Sequence, residues 1–119
     1  MAKQLKVYIY AKCSTCRNAL KWLDRKKVVY ETRAIRETPP SKAELKRMLG
    51  YYDGEIRKIL NTSSQDYRDA KLKDRLDSMK PEAVFGMLQK NGNLVKRPFV
   101  LGDGFGVVGF REGEWVEKF

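Results

Sequence analysis

Apolar and polar residues alternate over Leu5-Lys6-Val7-Tyr8-Ile9-Tyr10, which predicts a half-buried strand over residues 5–11. The period changes at Cys16. Cys16, Ala19, Leu20 and Leu23 follow i, i+3, i+4, i+7 spacing, one face of a helix. Lys26 and Lys27 suit the C-terminal end of that helix, where cations meet the negative end of its dipole. Val28-Val29-Tyr30-Glu31-Thr32-Arg33 predicts a second strand. A β-α-β opening favours a parallel pair joined by a right-handed crossover.

Pro39-Pro40 break this pattern, and Ser41-Lys42-Ala43-Glu44 follows as a capping box. Leu45, Met48 and Leu49 give the next helix its apolar face, and Gly50 stops it. Ile56, Ile59 and Leu60 mark a short helix; Leu72, Leu76 and Met79 mark another. Pro81 suits the first position of a further helix, with Ala83, Val84, Met87 and Leu88 as its buried stripe. After a turn at Asn91-Gly92-Asn93, the run Leu94–Leu101 predicts a third strand. Gly102-Asp103-Gly104 signals a hairpin into a fourth strand, Val107–Phe110, and residues 111–119 can close with a helix. The chain shows no repeat, no low-complexity tract and no linker, and its 119 residues fit one domain, 1–119. The order βαβ, helices, ββα predicts an α/β, thioredoxin-like fold. It would hold a mixed four-stranded sheet with a helical insertion at about residues 41–90.

Composition narrows the setting. No run of about 18 apolar residues exists, so no membrane span is expected. Met1-Ala2-Lys3-Gln4-Leu5 leads straight into the strand pattern without an apolar signal segment, so the cytoplasm is the expected compartment. The formal net charge of +10 attracts anions: nucleic acid, oxyanions or an acidic protein surface. Much of that charge lies on helix-patterned stretches, as at Lys42, Lys46, Arg47, Arg57 and Lys58, where a solvated face explains it. Direct nucleic-acid binding is therefore not expected. The small size and high charge fit a monomer.

Cys13-Ser14-Thr15-Cys16 is the one concentrated piece of chemistry. It lies where the first strand gives way to the first helix, the thioredoxin-like redox arrangement. These are the only two cysteines, and the chain has no histidine. A closed zinc site would need carboxylates or a second chain, so no metal is expected. Cytosolic thiols are kept reduced, which favours transient redox chemistry over a structural staple. Cys13 sits where helix N–H groups and the helix dipole favour negative charge, so its thiolate is favoured. Lys12 and Arg17 flank it and act in the same direction. Ser14 and Thr15 could donate hydrogen bonds to its sulfur, or simply cap the helix. Cys16 lies one helical turn on and could serve as the resolving thiol. Two idle half-buried thiols would fit the same spacing. Arg97, before Pro98 at a strand start, could hold an oxyanion or a thiolate, or be an ordinary edge arginine. Tyr51-Tyr52-Asp53-Gly54 is an aromatic patch beside a turn, which reads as packing of the insertion on the core ahead of a partner contact.

Four motifs together resemble the arsenate-reductase-like family, which includes the Spx transcription regulators. They are Cys13-Ser14-Thr15-Cys16-Arg17-Asn18-Ala19, the stretch Ile35–Leu45, Asn61-Thr62-Ser63 with Tyr67-Arg68, and Lys96-Arg97-Pro98 with Val107-Val108-Gly109-Phe110. The resemblance runs from Val7 to about Trp115. It implies a thioredoxin-like core with a helical insert, Cys13 as the reactive thiol, and a cis Pro98 packed near it. Cys13, Cys16 and Arg97 would be catalytic, with Ser14, Thr15, Arg17 and Pro98 around the substrate. No bound cofactor is implied. A thiol reductant, either glutathione with glutaredoxin or thioredoxin, would be the co-substrate and partner. The regulator branch binds the C-terminal domain of the RNA polymerase α subunit, which the resemblance offers as an alternative partner. Arsenate reductases with one essential cysteine carry three further arginines around the oxyanion. Arg97 matches one; Asn61 stands at the second, and the third falls near Phe110, beside Arg111.

Overall fold

The computed structural model describes residues 5–119; residues 1–4, read as leading into the first strand, lie outside the described residues. The chain opens with β1 (Leu5–Ile9), α1 (Ser14–Arg25) and β2 (Tyr30–Ala34). β1 and β2 pair in parallel, from Leu5 opposite Tyr30 to Ile9 opposite Ala34. The insertion follows as α2 (Lys42–Tyr51), α3 (Gln65–Asp69), α4 (Leu72–Arg75) and α5 (Pro81–Lys90). Then come β3 (Phe99–Leu101), β4 (Gly106–Val108) and α6 (Glu112–Lys118). β3 is antiparallel to both β1 and β4, and the sheet order is β2-β1-β3-β4. This is the expected mixed four-stranded sheet with its helical insertion.

The period-2 alternation of the strands divides the core between the two faces of the sheet. Leu5, Val7, Val100 and Val107 pack with Ala19, Trp22, Leu23 and Trp115 from α1 and α6. Tyr8, Phe99, Leu101 and Val108 face the insertion, against Leu45, Met48, Phe85 and Leu88. Among the described residues no helix is long and apolar enough to cross a membrane.

Several boundaries differ from the sequence pattern, each for a local reason. The second strand begins at Tyr30, because Lys27 turns the chain at φ 57° and the Val28 N–H donates to the Leu23 carbonyl at 3.1 Å. The third strand does not run from Leu94. Gly92–Leu94 form a 3-10 turn, Val95 bridges to Leu60, and Arg97–Pro98 is a cis peptide, so the strand starts at Phe99. Leu94 and Val95 are buried, and their apolar run reads as a strand although the ladder is absent. The fourth strand stops at Val108, before the turn at Gly109 (φ 69°). Helix α3 carries no readable period: it has five residues and buries only Tyr67. In α1 the buried stripe includes Trp22, while Leu20 is half-buried. In α5 it is Val84, Phe85 and Leu88, with Ala83 exposed and Met87 half-buried. Residues 56–59 form a 3-10 turn rather than an α-helix.

The capping box does more than start α2. The Ser41 hydroxyl accepts the Glu44 N–H at 3.2 Å, and Glu44 Oε1 accepts the Ser41 N–H at 2.9 Å. The same carboxylate accepts the Tyr8 hydroxyl at 2.6 Å and Lys6 Nζ at 3.0 Å, both from β1. One side chain thus ties the insertion to the central strand. Partial burial works against its charge, but the Tyr8 hydroxyl, the Ser41 N–H and Lys6 outweigh it and hold the Glu44 carboxyl below its usual range. A carboxyl lowered in the folded state stabilises above its unfolded pKa, and that stability is lost as pH falls through the folded value. Glu44→Gln should therefore cost about 1–2 kcal/mol at neutral pH. The gap from wild type should close as pH falls below about 4. Urea unfolding of both proteins across that range checks it; a pH-independent gap would show that the charge contributes nothing.

Candidate active site

Cys13 sits between the end of β1 and the first turn of α1. Its N–H donates to the Tyr10 carbonyl at 2.9 Å, which closes the loop after β1. Its backbone is extended (φ −87°, ψ 116°), and it is the N-cap of the helix. In that position Sγ replaces the usual capping oxygen and accepts the Cys16 N–H at 3.4 Å. Cys16 itself is buried, and both cysteines are free thiols.

Arg97 reaches the same place from the other end of the chain, immediately before cis Pro98. Its guanidinium lies over the Tyr10 ring, 4.8 Å from the centroid, and Nη1 donates to Asn93 Oδ1 at 3.5 Å. Asn93 Nδ2 in turn donates to Asp66 Oδ2 at 3.2 Å, and Asn91 Nδ2 donates to that oxygen at 2.8 Å. Arg36 also lies over Tyr10, 5.0 Å from its centroid, and donates to its hydroxyl at 3.0 Å. Tyr10, Asn93 and Asp66 therefore hold the arginine that faces Cys13.

Electrostatics separate the two thiols. Burial opposes the Cys13 thiolate, but hydrogen bonds from the Cys16 amide and thiol, then Arg97, outweigh it. The Cys13 pKa lies below its ordinary value. For Cys16, burial is the main cause of a pKa pushed up to about 12, only partly countered by a hydrogen bond with the Tyr10 backbone. The negative charge on Cys13 pushes Cys16 the same way as burial does. Cys13 is thus the more readily ionised of the two sulfurs, and Cys16 is held as a thiol.

Cys13 opens onto a cavity of about 370 Å³ whose walls include Thr15, Asn61, Lys96, Arg97 and Arg111. Gly109 shapes it. Its N–H donates to the Pro98 carbonyl at 2.9 Å, and its carbonyl accepts the Trp115 indole N–H at 3.0 Å. It has φ 69°, and a Cβ there would come within 2.9 Å of Lys96 Cε. Among the described residues no group of three or more His, Cys, Asp or Glu could hold a metal ion.

The structure brings Cys13, Cys16, Arg97 and Thr15 together, with Pro98 buried beside them. Ser14 and Arg17 are exposed and do not line the cavity; Arg17 Nη1 donates instead to the Ala11 carbonyl at 3.1 Å. Ser14 and Thr15 are not the donors to Cys13; the donors come from Cys16 and Arg97. Sequence neighbours misled here because a helix N-cap sends successive side chains in different directions. Lys96 enters the sequence reading only as part of the Lys96-Arg97-Pro98 motif, and no local spacing points to Tyr10, Asn93 or Asp66. Asn61 and Arg111, at or beside the positions of the two unmatched arginines, do line the cavity. Tyr52 packs on the core, and its hydroxyl accepts the Val108 N–H at 3.0 Å.

The ArsC family model matches residues 8–119. The chain is 36% identical to the uncharacterized protein YusI of Bacillus subtilis, over 97% of this chain and 98% of that one. It is 32% identical to the global transcriptional regulator Spx of Listeria innocua, over 95% of this chain and 84% of Spx. Its fold is similar to the crystal structure of a possible arsenate reductase from Streptococcus mutans. The TM-score is 0.87 at 34% identity, covering 97% of this chain and 98% of that one.

The geometry sets a pH dependence. Alkylation of Cys13 by iodoacetamide should titrate at a lower pH than a free cysteine. Arg97→Gln should move that midpoint up, because the arginine's hydrogen bond and charge both favour the thiolate. The alkylation rate against pH, read on Cys16→Ser protein, measures both. An unchanged midpoint in the Arg97 variant would remove Arg97 from the account of the thiolate.

Proposed function

This chain belongs to the ArsC family, and we propose that it is a thiol–disulfide redox protein acting through Cys13 and resolved by Cys16. The observation that carries the reading is the N-cap sulfur of Cys13 beside Arg97 on the cavity wall, next to a buried Cys16. The Cys13 thiolate attacks one sulfur of a substrate disulfide; a bond to Cys13 forms, the disulfide breaks, and the distal thiolate leaves. Cys16 then loses its proton and attacks Cys13 Sγ. The second substrate thiolate leaves; the substrate has gained two electrons, and the Cys13–Cys16 pair has lost two in becoming a disulfide. A thiol reductant, glutathione with glutaredoxin or thioredoxin, returns the pair to dithiol form. An oxyanion such as arsenate is the alternative substrate class, supported by Arg97, Lys96 and Arg111 around the thiol. Asn61 offers it a neutral amide where the family pattern has its second arginine.

A second reading rests on the retained Cys13–Cys16 pair and the likeness to Spx. There the same disulfide is a switch, and its formation changes affinity for a protein partner, by the resemblance the C-terminal domain of the RNA polymerase α subunit. Thr15 belongs to the thiol site in either reading, since it lines the cavity.

Turnover separates the two. Oxidation of reductant should be followed with arsenate and with a small disulfide, supplied in parallel by thioredoxin and by glutathione with glutaredoxin. We expect turnover that is lost in Cys13→Ser, and a mixed disulfide that accumulates on Cys13 in Cys16→Ser. A reversible Cys13–Cys16 disulfide without turnover, joined to redox-dependent binding of the α subunit, would favour the switch. Thiol reactivity that survives Cys13→Ser would overturn both.

A further inference from the structure

The cavity at Cys13 does not end at the thiol. A second hollow of about 160 Å³ adjoins it, lined by Tyr52, Lys58 and Glu114, and Lys96, Val108 and Arg111 line both. The two together lead from the reacting sulfur to the insertion, a path much larger than one tetrahedral oxyanion needs. Its charge is lopsided. Arg97, Lys96, Arg111 and Lys58 line it against one carboxylate, Glu114. Arg97 is occupied by Cys13, Asn93 and Tyr10, and Lys58 is paired with Glu55 at 2.7 Å. Among the described residues Lys96 and Arg111 form no ion pair, and they stand where the two hollows meet. Two uncommitted cations in a concave, partly apolar groove concentrate field at the place a ligand chain would cross.

We propose that this groove receives an acidic, cysteine-bearing peptide segment of a disulfide-containing protein, with carboxylates near the reacting cysteine held by Lys96 and Arg111. The inference rests on the thiol reading above and adds the chemistry of its substrate. An extended segment advances about 3.3 Å per residue, so residues one to a few places from the cysteine would reach these cations. Val108 and Tyr52 supply apolar wall beneath it. Charge-assisted hydrogen bonds from arginine and lysine to carboxylates are the interactions such a segment would gain.

The test uses three peptides differing only in whether Glu, Gln or Lys flanks a single cysteine, each carried as a mixed disulfide with 2-thiopyridine. Cys13 attack on the peptide sulfur forms a Cys13–peptide disulfide and expels pyridine-2-thione with the electron pair. In Cys16→Ser protein the reaction stops there, so thione release reads this step alone. The Glu peptide should react about tenfold faster than the Gln peptide at low salt, and the Lys peptide more slowly still. The preference should shrink as salt shortens the screening length. Lys96→Gln with Arg111→Gln should bring the Glu-to-Gln ratio to about one, with the Gln peptide reporting that the protein is folded and reactive. Lys80→Gln with Lys90→Gln removes the same charge from exposed sites elsewhere and should leave the ratio unchanged. Equal rates for the three peptides, or a ratio that survives the groove variant or falls equally in the control, would overturn the groove while leaving the thiol reading intact. No thione from any peptide, or equal release by Cys13→Ser, would overturn both.

Discussion

The antiparallel register between β1 and β3 is the constraint on which the site depends. Tyr8, one residue before the end of β1, lies opposite Phe99, the first residue of β3. Whatever leaves β1 therefore meets whatever leads into β3. The first is the loop that ends at Cys13, and the second is Arg97–Pro98. A slip of one residue would do more than misplace Arg97. It would send Phe99 and Leu101 to the α1 face and Val100 to the insertion, and both cores resist that. Burial on both faces of the sheet thus holds the arginine against the thiolate.

The insertion adds a second layer to this frame. Glu44 joins α2 to β1, Tyr52 occupies the outward N–H of Val108 at the end of β4, and Asp66 reaches Arg97 through Asn93. Each contact ends on a strand next to the thiol or on a group that touches it. The helices between β2 and β3 therefore build the far wall of the site as well as covering the sheet. Asp66 supplies the carboxylate in the contacts that lead to Arg97. Its charge is favoured first by the Asn91 and Asn93 amides, with Arg36 and Arg97 acting at longer range. An arginine balanced by a carboxylate at one remove keeps its guanidinium available to a second anion, which a direct ion pair would not.

What could be read from the chain was local. The capping box at Ser41 and Glu44, Pro81 at the first turn of α5, and the cysteine pair at a strand-to-helix junction are short-range signals, and each stands in the structure as the sequence implies. What could not be read was spatial. Arg17 sits four residues from Cys13 and turns away, while Arg97 arrives through a sheet pairing. Leu94 and Val95 look like a strand because they are apolar, yet they are buried by a 3-10 turn and a single bridge to Leu60. Lys96 and Arg111 lie far apart in the chain, and the fold sets both on the wall of one cavity.

The unequal thiols give the proposed cycle an order. Cys16 is held protonated by burial and also by the charge on Cys13. Once Cys13 is bound in a mixed disulfide, that charge is gone, and only burial still opposes ionisation. Arg97 and the Tyr10 backbone bond, both of which favour the Cys16 thiolate, remain. The first step therefore removes one of the obstacles to the second. The resolving thiol is quiet while Cys13 is free and becomes easier to ionise when there is a bond for it to break. The same change also withdraws the negative partner from Arg97, leaving its guanidinium to the departing thiolate or to a bound anion. One sulfur's charge thus governs both neighbours, and the sheet register that sets Arg97 against Cys13 is what couples them.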